Sequence, residues 1–436
     1  ATLRLDYFHT GTATEEVFSL DGLAQEGPWP GSLAQTVDRL NLGKYEFEVR
    51  DAKSGRLVYS RGFCSVYGEW ETTEEARRVR RTFHESVRFP MPEAAVKVTI
   101  RKRGAKGAFR DAWSVTVDPK DPGMDRAKPP AAVKVWAVMK NGEPADKVDL
   151  LLIGDGYTAA ETGKWHADAK RLSETLFAAS PFKERRSAFN VWAIDVPADE
   201  SGVARPSEGV HRRSPVRAAY DAFGSERYVL TFDNKRLREV ASAAPYEFIE
   251  IVVNGRKYGG GGIHNQYSTV ASDSASSAYV FVHEFGHHFA GLADEYYTSD
   301  VAYQSSAARP EPWEPNVTAN ATEPKWREMV APGTPLPTPW AKAEFEKMQA
   351  GVQARRKALR AARQPEEEME ALFKEERAAS RKTLAQDGRV GAFEGAMYES
   401  RGYYRPAQDC IMFTRSEAFC AVCRQAIERV IGLYSR

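Results

Sequence analysis

A surplus of charge of one sign is missing from this chain. Lys and Arg number 61 against 60 Asp and Glu, so 436 residues carry a formal charge of only +1. A protein whose main partner is a polyanion needs a concentrated positive field, and nucleic-acid binding is excluded on that ground. Long apolar runs are missing too, and none approaches the roughly 18 residues that a membrane-spanning helix requires. The opening ATLRLDYF has neither the charged nor the apolar segment of an export signal, although Ala1 is not a start Met and a trimmed leader fits that beginning. No Gly-x-Ser-x-Gly elbow occurs and no cysteine has the surroundings of a known nucleophile motif, so covalent catalysis has no support. One glycine-rich run, NGRKYGGGG at 254–262, lacks the Gly-Lys-Ser/Thr ending of a phosphate-binding loop. It passes into IHNQYSTV, which reads as a strand, so we take the glycines as a turn beside an edge strand.

What is present is enough for two cores. The chain is too long for one, and its 42% hydrophobic and 11% aromatic content belongs to a folded protein. From Leu3 to about Val117 short alternating runs are separated by turns, as in KYEFEVRDAKSGRLVYSRGF, and predict an all-β sandwich over residues 1–122. A Pro- and Gly-containing linker follows at 123–130. Residues 131–436 then read as an α/β (α+β) domain: Val148 to Ile153 is a nearly continuous apolar strand, Thr158 to Ala178 a helix, and Phe189 to Val196 and Glu247 to Val253 further strands. A charged block at 341–386 predicts a helical hairpin turning at Gln364 and Pro365, an insertion expected to be solvated.

Histidine is scarce but clustered. Of eight, three lie in YVFVHEFGHHFAGLADEYY, residues 279–297. His283 and His287 are one helical turn apart, so both imidazoles leave the same face, which is how a helix holds zinc. Glu284 follows the first ligand and reaches a metal-bound water without taking a coordination position, as a general base must. His288 is turned about 100° away from His287 and is expected to pack or support. A third protein ligand leaves one position open for water. Asp294 is the first choice and Glu295 the second, but an unbroken helix would carry Asp294 about 10 Å past His287. The helix must therefore end between them, and Gly291 stands where a left-handed glycine turns a chain back.

The string HEFGHHFAGLADEYY resembles the active-site helix of the IgA-specific metalloendopeptidase-like family of bacterial zinc peptidases, within the metzincin-like clan. LLIGDGYTAAE, PFKERRSAFNVWAIDVPADESGV and GAMYESRGYYRPAQDCIMFTRSEAFCAVC are similar to further parts of that family, and the amino-terminal region resembles its accessory domain. The resemblance implies a secreted zinc endopeptidase with a metzincin-like catalytic domain. It implies zinc on His283, His287 and a third ligand, with Glu284 as catalytic base and Met412 supporting the metal from beneath. Typical clan members carry the third ligand where this chain has Ala293, one position before Asp294. Some also carry a tyrosine where Thr414 stands, a role left here to Tyr403, Tyr404 or Arg405. His264, ahead of the helix, is with Tyr403 and Tyr404 a candidate for substrate contact.

The four cysteines are Cys64, Cys410, Cys420 and Cys423. Three of them lack a fourth nearby ligand for a second zinc, and no further CxxC completes a ribbon. In an exported protein Cys410 pairing with Cys420 or Cys423 is the favoured alternative to free thiols. The expected partner is a protein or peptide, with a host glycoprotein as one candidate. A zinc amidase acting on cell-wall amides and a non-catalytic glycan-binding protein are the competing readings.

Overall fold

Val148 to Ile153 is apolar at every position but Asp149, and a strand of that composition is stable only where both faces are covered. The computed structural model, which describes residues 1–129, 133–299, 301 and 308–435, puts it near the middle of a six-stranded sheet. Residue 130 of the expected linker and residues 131 and 132 lie outside the described residues.

The first 117 residues are β1 (Thr2–Gly11), β2 (Glu16–Glu26), β3 (Tyr45–Asp51), β4 (Leu57–Phe63), the short helix α1 (Val66–Trp70), β5 (Arg81–Pro90), β6 (Val96–Arg103) and β7 (Phe109–Val117). They make two antiparallel sheets, in the orders β2-β1-β5 and β4-β3-β6-β7. Alternate residues of both, among them Leu3, Leu5, Phe47, Val49, Phe89, Val98 and Ile100, close one core between the sheets. Met124 is buried in the same core and Gln25 N–H donates to Asp125 O at 2.8 Å. The chain therefore stays attached to the β region past residue 122.

The remainder is mixed. It contains β8 (Lys134–Met139), β9 (Val148–Asp155), α2 (Thr162–Leu176), β10 (Phe189–Asp195), the two-residue strands β11 (Ala218–Ala219) and β12 (Leu230–Thr231), α3 (Asn234–Ala241), β13 (Phe248–Val253), β14 (Gly260–Ile263), β15 (Tyr267–Ala271) and α4 (Ser277–Ala290). After these come α5 (Lys342–Ala361), α6 (Glu366–Thr383), the hairpin of β16 (Phe393–Ala396) and β17 (Glu399–Arg405), and α7 (Ala421–Tyr434). The main sheet runs β14-β15-β13-β9-β10-β8, parallel inside and antiparallel at both edges. Leu150 and Leu152 of β9 meet Leu172 of α2, Phe285 of α4 and Ile427 of α7. Leu151 and Ile153, one step out of phase, meet α3 and also Tyr67 and Trp70 of the amino-terminal region. The two regions thus share a core, reinforced where Cys64 N–H donates to His264 O at 2.9 Å and Arg88 Nη1 to Tyr246 O at 2.8 Å. Among the described residues no helix is long and apolar enough to cross a membrane.

The charged hairpin departs from expectation. Its turn is at 362–365, between α5 and α6, but Phe345, Gln349 and Val352 of α5 and Met369, Leu372 and Phe373 of α6 are buried. A narrow apolar stripe at helical spacing is hidden in the composition by the charges around it, and it docks the hairpin on the body of the protein.

Glycines set how closely β14 approaches α4. A Cβ on Gly262 would lie 2.4 Å from Glu284 O, and one on Gly260 would lie 2.6 Å from a methyl of Val280. Only a strand without side chains fits there. Gly262→Ala is expected to cost about 1–3 kcal/mol, because backbone has to move. Gly351→Ala, at an open position on α5, should stabilise by about 0.5–1 kcal/mol. Chemical denaturation of the two variants measures both signs.

Candidate metal centre

Helix α4 carries His283, Glu284 and His287 and stops at Gly291, whose φ of 59° and ψ of 32° are left-handed. A Cβ there would also strike the Trp313 ring at 2.7 Å, so glycine is required twice over. The turn sends the chain back beneath the helix. His287 Nδ1–H donates to Leu292 O at 2.5 Å, just past the turn, and His283 Nδ1–H donates to Ile411 O at 2.9 Å. A neutral imidazole that gives its Nδ1 hydrogen to a carbonyl has a bare lone pair on Nε2. The two Nε2 atoms are 3.2 Å apart.

Asp294 completes the triangle. Its Oδ1 lies 3.0 Å from His283 Nε2 and 3.2 Å from His287 Nε2, and among the described residues no hydrogen bond of good geometry reaches it. Three electron-rich atoms converge in a buried pocket, an arrangement that repels itself unless a cation lies among them. A tetrahedral zinc with bonds of about 2.0–2.2 Å holds its ligand atoms roughly 3.3–3.6 Å apart, so the donor set fits that ion and the three atoms need spread by only a few tenths of an ångström to receive it. The field shows the same demand for positive charge. Burial opposes the imidazolium, yet Asp294 beside it pushes His287 up to about 9. Burial likewise opposes the Asp294 carboxylate, but His287 and His283 hold it well below the ordinary range.

Glu284 also has a carboxylate oxygen within 4.8 Å of the histidine nitrogens. Asp294 is closer, touches both rings and is braced from behind, which leaves Glu284 facing the open cavity. Burial raises the Glu284 carboxyl above its ordinary value, against the pull of His283 and His287. Glu295, the second choice for the metal, points elsewhere: its Oε1 accepts from Asn316 Nδ2 at 2.9 Å and approaches the Cys423 thiol at 3.5 Å. His288 is fully buried, hydrogen-bonded to Ser268 Oγ at 3.1 Å and edge-on to Phe248. Met412 is buried beneath α4, where a Cβ on Gly286 would come within 3.2 Å of its sulfur.

The site opens into a cavity of about 690 Å³. His264 and Tyr403 line it, although each is already engaged, His264 Nδ1–H with His288 O and Tyr403 Oη with Pro310 O. Tyr404 alternates to the other face of β17 and does not line it, and Arg405 is buried against Phe413. One wall is formed by Gly260 to Gly262 of β14, another by Phe345 and Gln349 of α5, and a third by Lys44, Glu69 and Arg103 of the amino-terminal region.

Sequence reasoning missed that last wall, and it missed Tyr398. Met397 and Tyr398 form the two-residue turn between β16 and β17, with φ of 49° and 64°. Such turns normally carry Asn or Gly, so nothing in AMYES marks one. Met397 N–H donates to Asp294 O at 3.0 Å and Tyr398 N–H to Tyr296 O at 3.1 Å, which holds the strained turn against the segment that carries Asp294. Tyr398 Oη then donates to Asp294 Oδ2 at 2.5 Å, aiming Oδ1 at the histidines. Partners that orient a metal-ligating carboxylate typically govern affinity by 10–100-fold, so Tyr398→Phe is expected to weaken metal binding by about that factor in a chelator competition. Unchanged affinity would show that Asp294 needs no brace.

Two family models match the chain. One, described as IgA Peptidase M64, covers residues 136–431, and the other, described as Peptidase M64 N-terminus, covers residues 1–114. No curated protein matches it. With the family models spanning both regions around the site, the chain belongs to the M64 family of IgA peptidases and is a peptidase, with protein or peptide as its class of substrate.

Proposed function

We propose that the protein is a zinc endopeptidase of metzincin-like architecture, in which His283, His287 and Asp294 hold the metal and Glu284 is the general base. The observation that carries this reading is the meeting of two bare imidazole nitrogens and the Asp294 oxygen at 3.0–3.2 Å, with Glu284 beside them and turned to the cavity. When bound, zinc supplies a Lewis acid for the scissile carbonyl and lowers the pKa of water to about 7. Glu284 takes a proton from the attacking water and later returns it to the departing amine, so one carboxylate serves as base and then as acid. Its place on the helix, one residue after His283, keeps it within reach of that water without adding a fourth protein ligand. Met412 beneath Gly286 supports the metzincin-like part of the reading.

Substrate alignment falls to β14. Arg227 O and Val229 N–H already pair with Gly260, and Gly261 and Gly262 carry the edge onward into the cavity. An extended peptide that adds to this edge uses main-chain hydrogen bonds and brings its backbone past the metal ligands. The amino-terminal wall opposite then contacts side chains of the same peptide. Export is part of the proposal and rests on the family resemblance.

Glu284→Gln tests the chemistry. The variant should keep its zinc and lose peptide hydrolysis by on the order of 10²–10⁴-fold, followed by mass spectrometry of a mixed protein substrate. Full activity in the zinc-loaded variant would remove Glu284 from the mechanism. Asp294→Ala should lose zinc affinity and hydrolysis together, and a chelator should silence the wild type until zinc is restored.

A further inference from the structure

Beneath the centre just described lies a second cluster whose fourth member the cysteine spacing does not reveal. Cys410, Cys420 and Cys423 are joined by Glu295, 128 positions upstream of Cys423, and one ligand atom from each lies within 4.8 Å of all the others. Cys410 and Cys423 have their sulfurs 3.8 Å apart, and Cys423 Sγ is 3.5 Å from Glu295 Oε1. A tetrahedral zinc with Zn–S of about 2.3 Å and Zn–O of about 2.1 Å sets these edges at roughly 3.8 Å and 3.6 Å. A disulfide brings its sulfurs to about 2.05 Å and uses only two of the three. It would leave the third thiol and a fully buried carboxylate facing each other. All four cysteines of the chain are free.

We infer that Glu295, Cys410, Cys420 and Cys423 form a second, closed zinc site with a structural role. Two further observations support a cation there. Among the described residues Glu295 Oε2 is buried without a hydrogen-bond partner, and Cys420 N–H donates to Cys410 Sγ at 3.3 Å, as backbone amides do to metal-bound thiolates. Cys420 caps α7 and Cys423 lies in its first turn, so helical spacing presents both sulfurs on one side. Three thiolates and a carboxylate around a divalent ion leave an excess of two negative charges. The positive end of α7 offsets part of it, and the buried Arg405 guanidinium, which is attracted to Glu295 and Cys410, offsets more.

The position suggests what the ion holds. Glu295 follows Asp294 in the chain, and Glu295 N–H donates to Met412 O at 2.8 Å. Cys410 precedes Ile411, whose carbonyl orients His283. A zinc bound here fastens the segment that carries the third catalytic ligand to the loop that aims the first. It binds with release of the thiol protons, and being closed it has no open position for substrate.

The test uses the full-length protein purified with reductant and supplied with zinc. Elemental analysis should find about two zinc per chain, and about one in His287→Ala/Asp294→Ala, where the catalytic pair is broken. Replacing that remaining zinc by cobalt should give tetrahedral ligand-field absorption with thiolate charge transfer, and a mercurial thiol reagent should release the ion. Cys420→Ser/Cys423→Ser should abolish both signals in that background. Because the spectrum is read on a variant with its cysteines intact, a cysteine variant that fails to fold leaves the decision unaffected. A zinc-free His287→Ala/Asp294→Ala protein, cobalt spectra without thiolate character, or a Cys410 disulfide peptide in the native protein would each overturn the inference.

Discussion

Two bare imidazole nitrogens and a carboxylate oxygen, brought to about 3 Å of one another at the buried end of a cavity, are a strained arrangement that only positive charge relieves. Much of the surrounding structure can be understood as the means of keeping them there. The left-handed turn at Gly291 returns the chain so that Asp294 meets the helix it has just left. Backbone carbonyls of Leu292 and Ile411 take the outer hydrogens of the rings and so decide which nitrogen faces inward. Tyr398 pulls on the far oxygen of Asp294 from a turn whose backbone is itself strained. Preorganisation of this kind places the cost of gathering three lone pairs on folding, before any ion arrives.

The face of α4 that carries Glu284 is closely packed. β14 lies against α4 at a distance that no side chain permits, which puts the sheet edge and Glu284 in the same few ångströms. Under the proposed function the base and the peptide-binding edge are held by one close contact, so the same packing would orient the scissile bond and the proton acceptor.

Parts of this were legible in the amino-acid sequence for plain reasons. The spacing of His283 and His287, the apolar runs of β9, β10 and β13, and the need for a turn at Gly291 all follow from local periodicity. The mixed α/β character of the chain, behind an all-β first region, follows from the same patterns. What escaped depends on chain segments far apart. Tyr398 reaches Asp294 from a turn that has no turn residues. Glu295 reads as a neighbour of the third ligand, and only the return of the loop at 410–412 shows that it faces three thiols instead. The charged helices α5 and α6 read as solvated because their buried stripe is thin beside their exposed charges.

The core shared across the sequence boundary has one more implication. Leu151, Ile153, Ile249 and Ile251 of the sheet have their outer face covered in part by Tyr67, Trp70 and Phe83 of the amino-terminal region, which also walls the cavity. The two regions recognised by separate family models are therefore not interchangeable cassettes. A chain that exchanged one without the other would expose an apolar sheet face and lose one wall of the cavity at once, so the shape of that cavity depends on a part of the chain that holds none of His283, Glu284, His287 and Asp294.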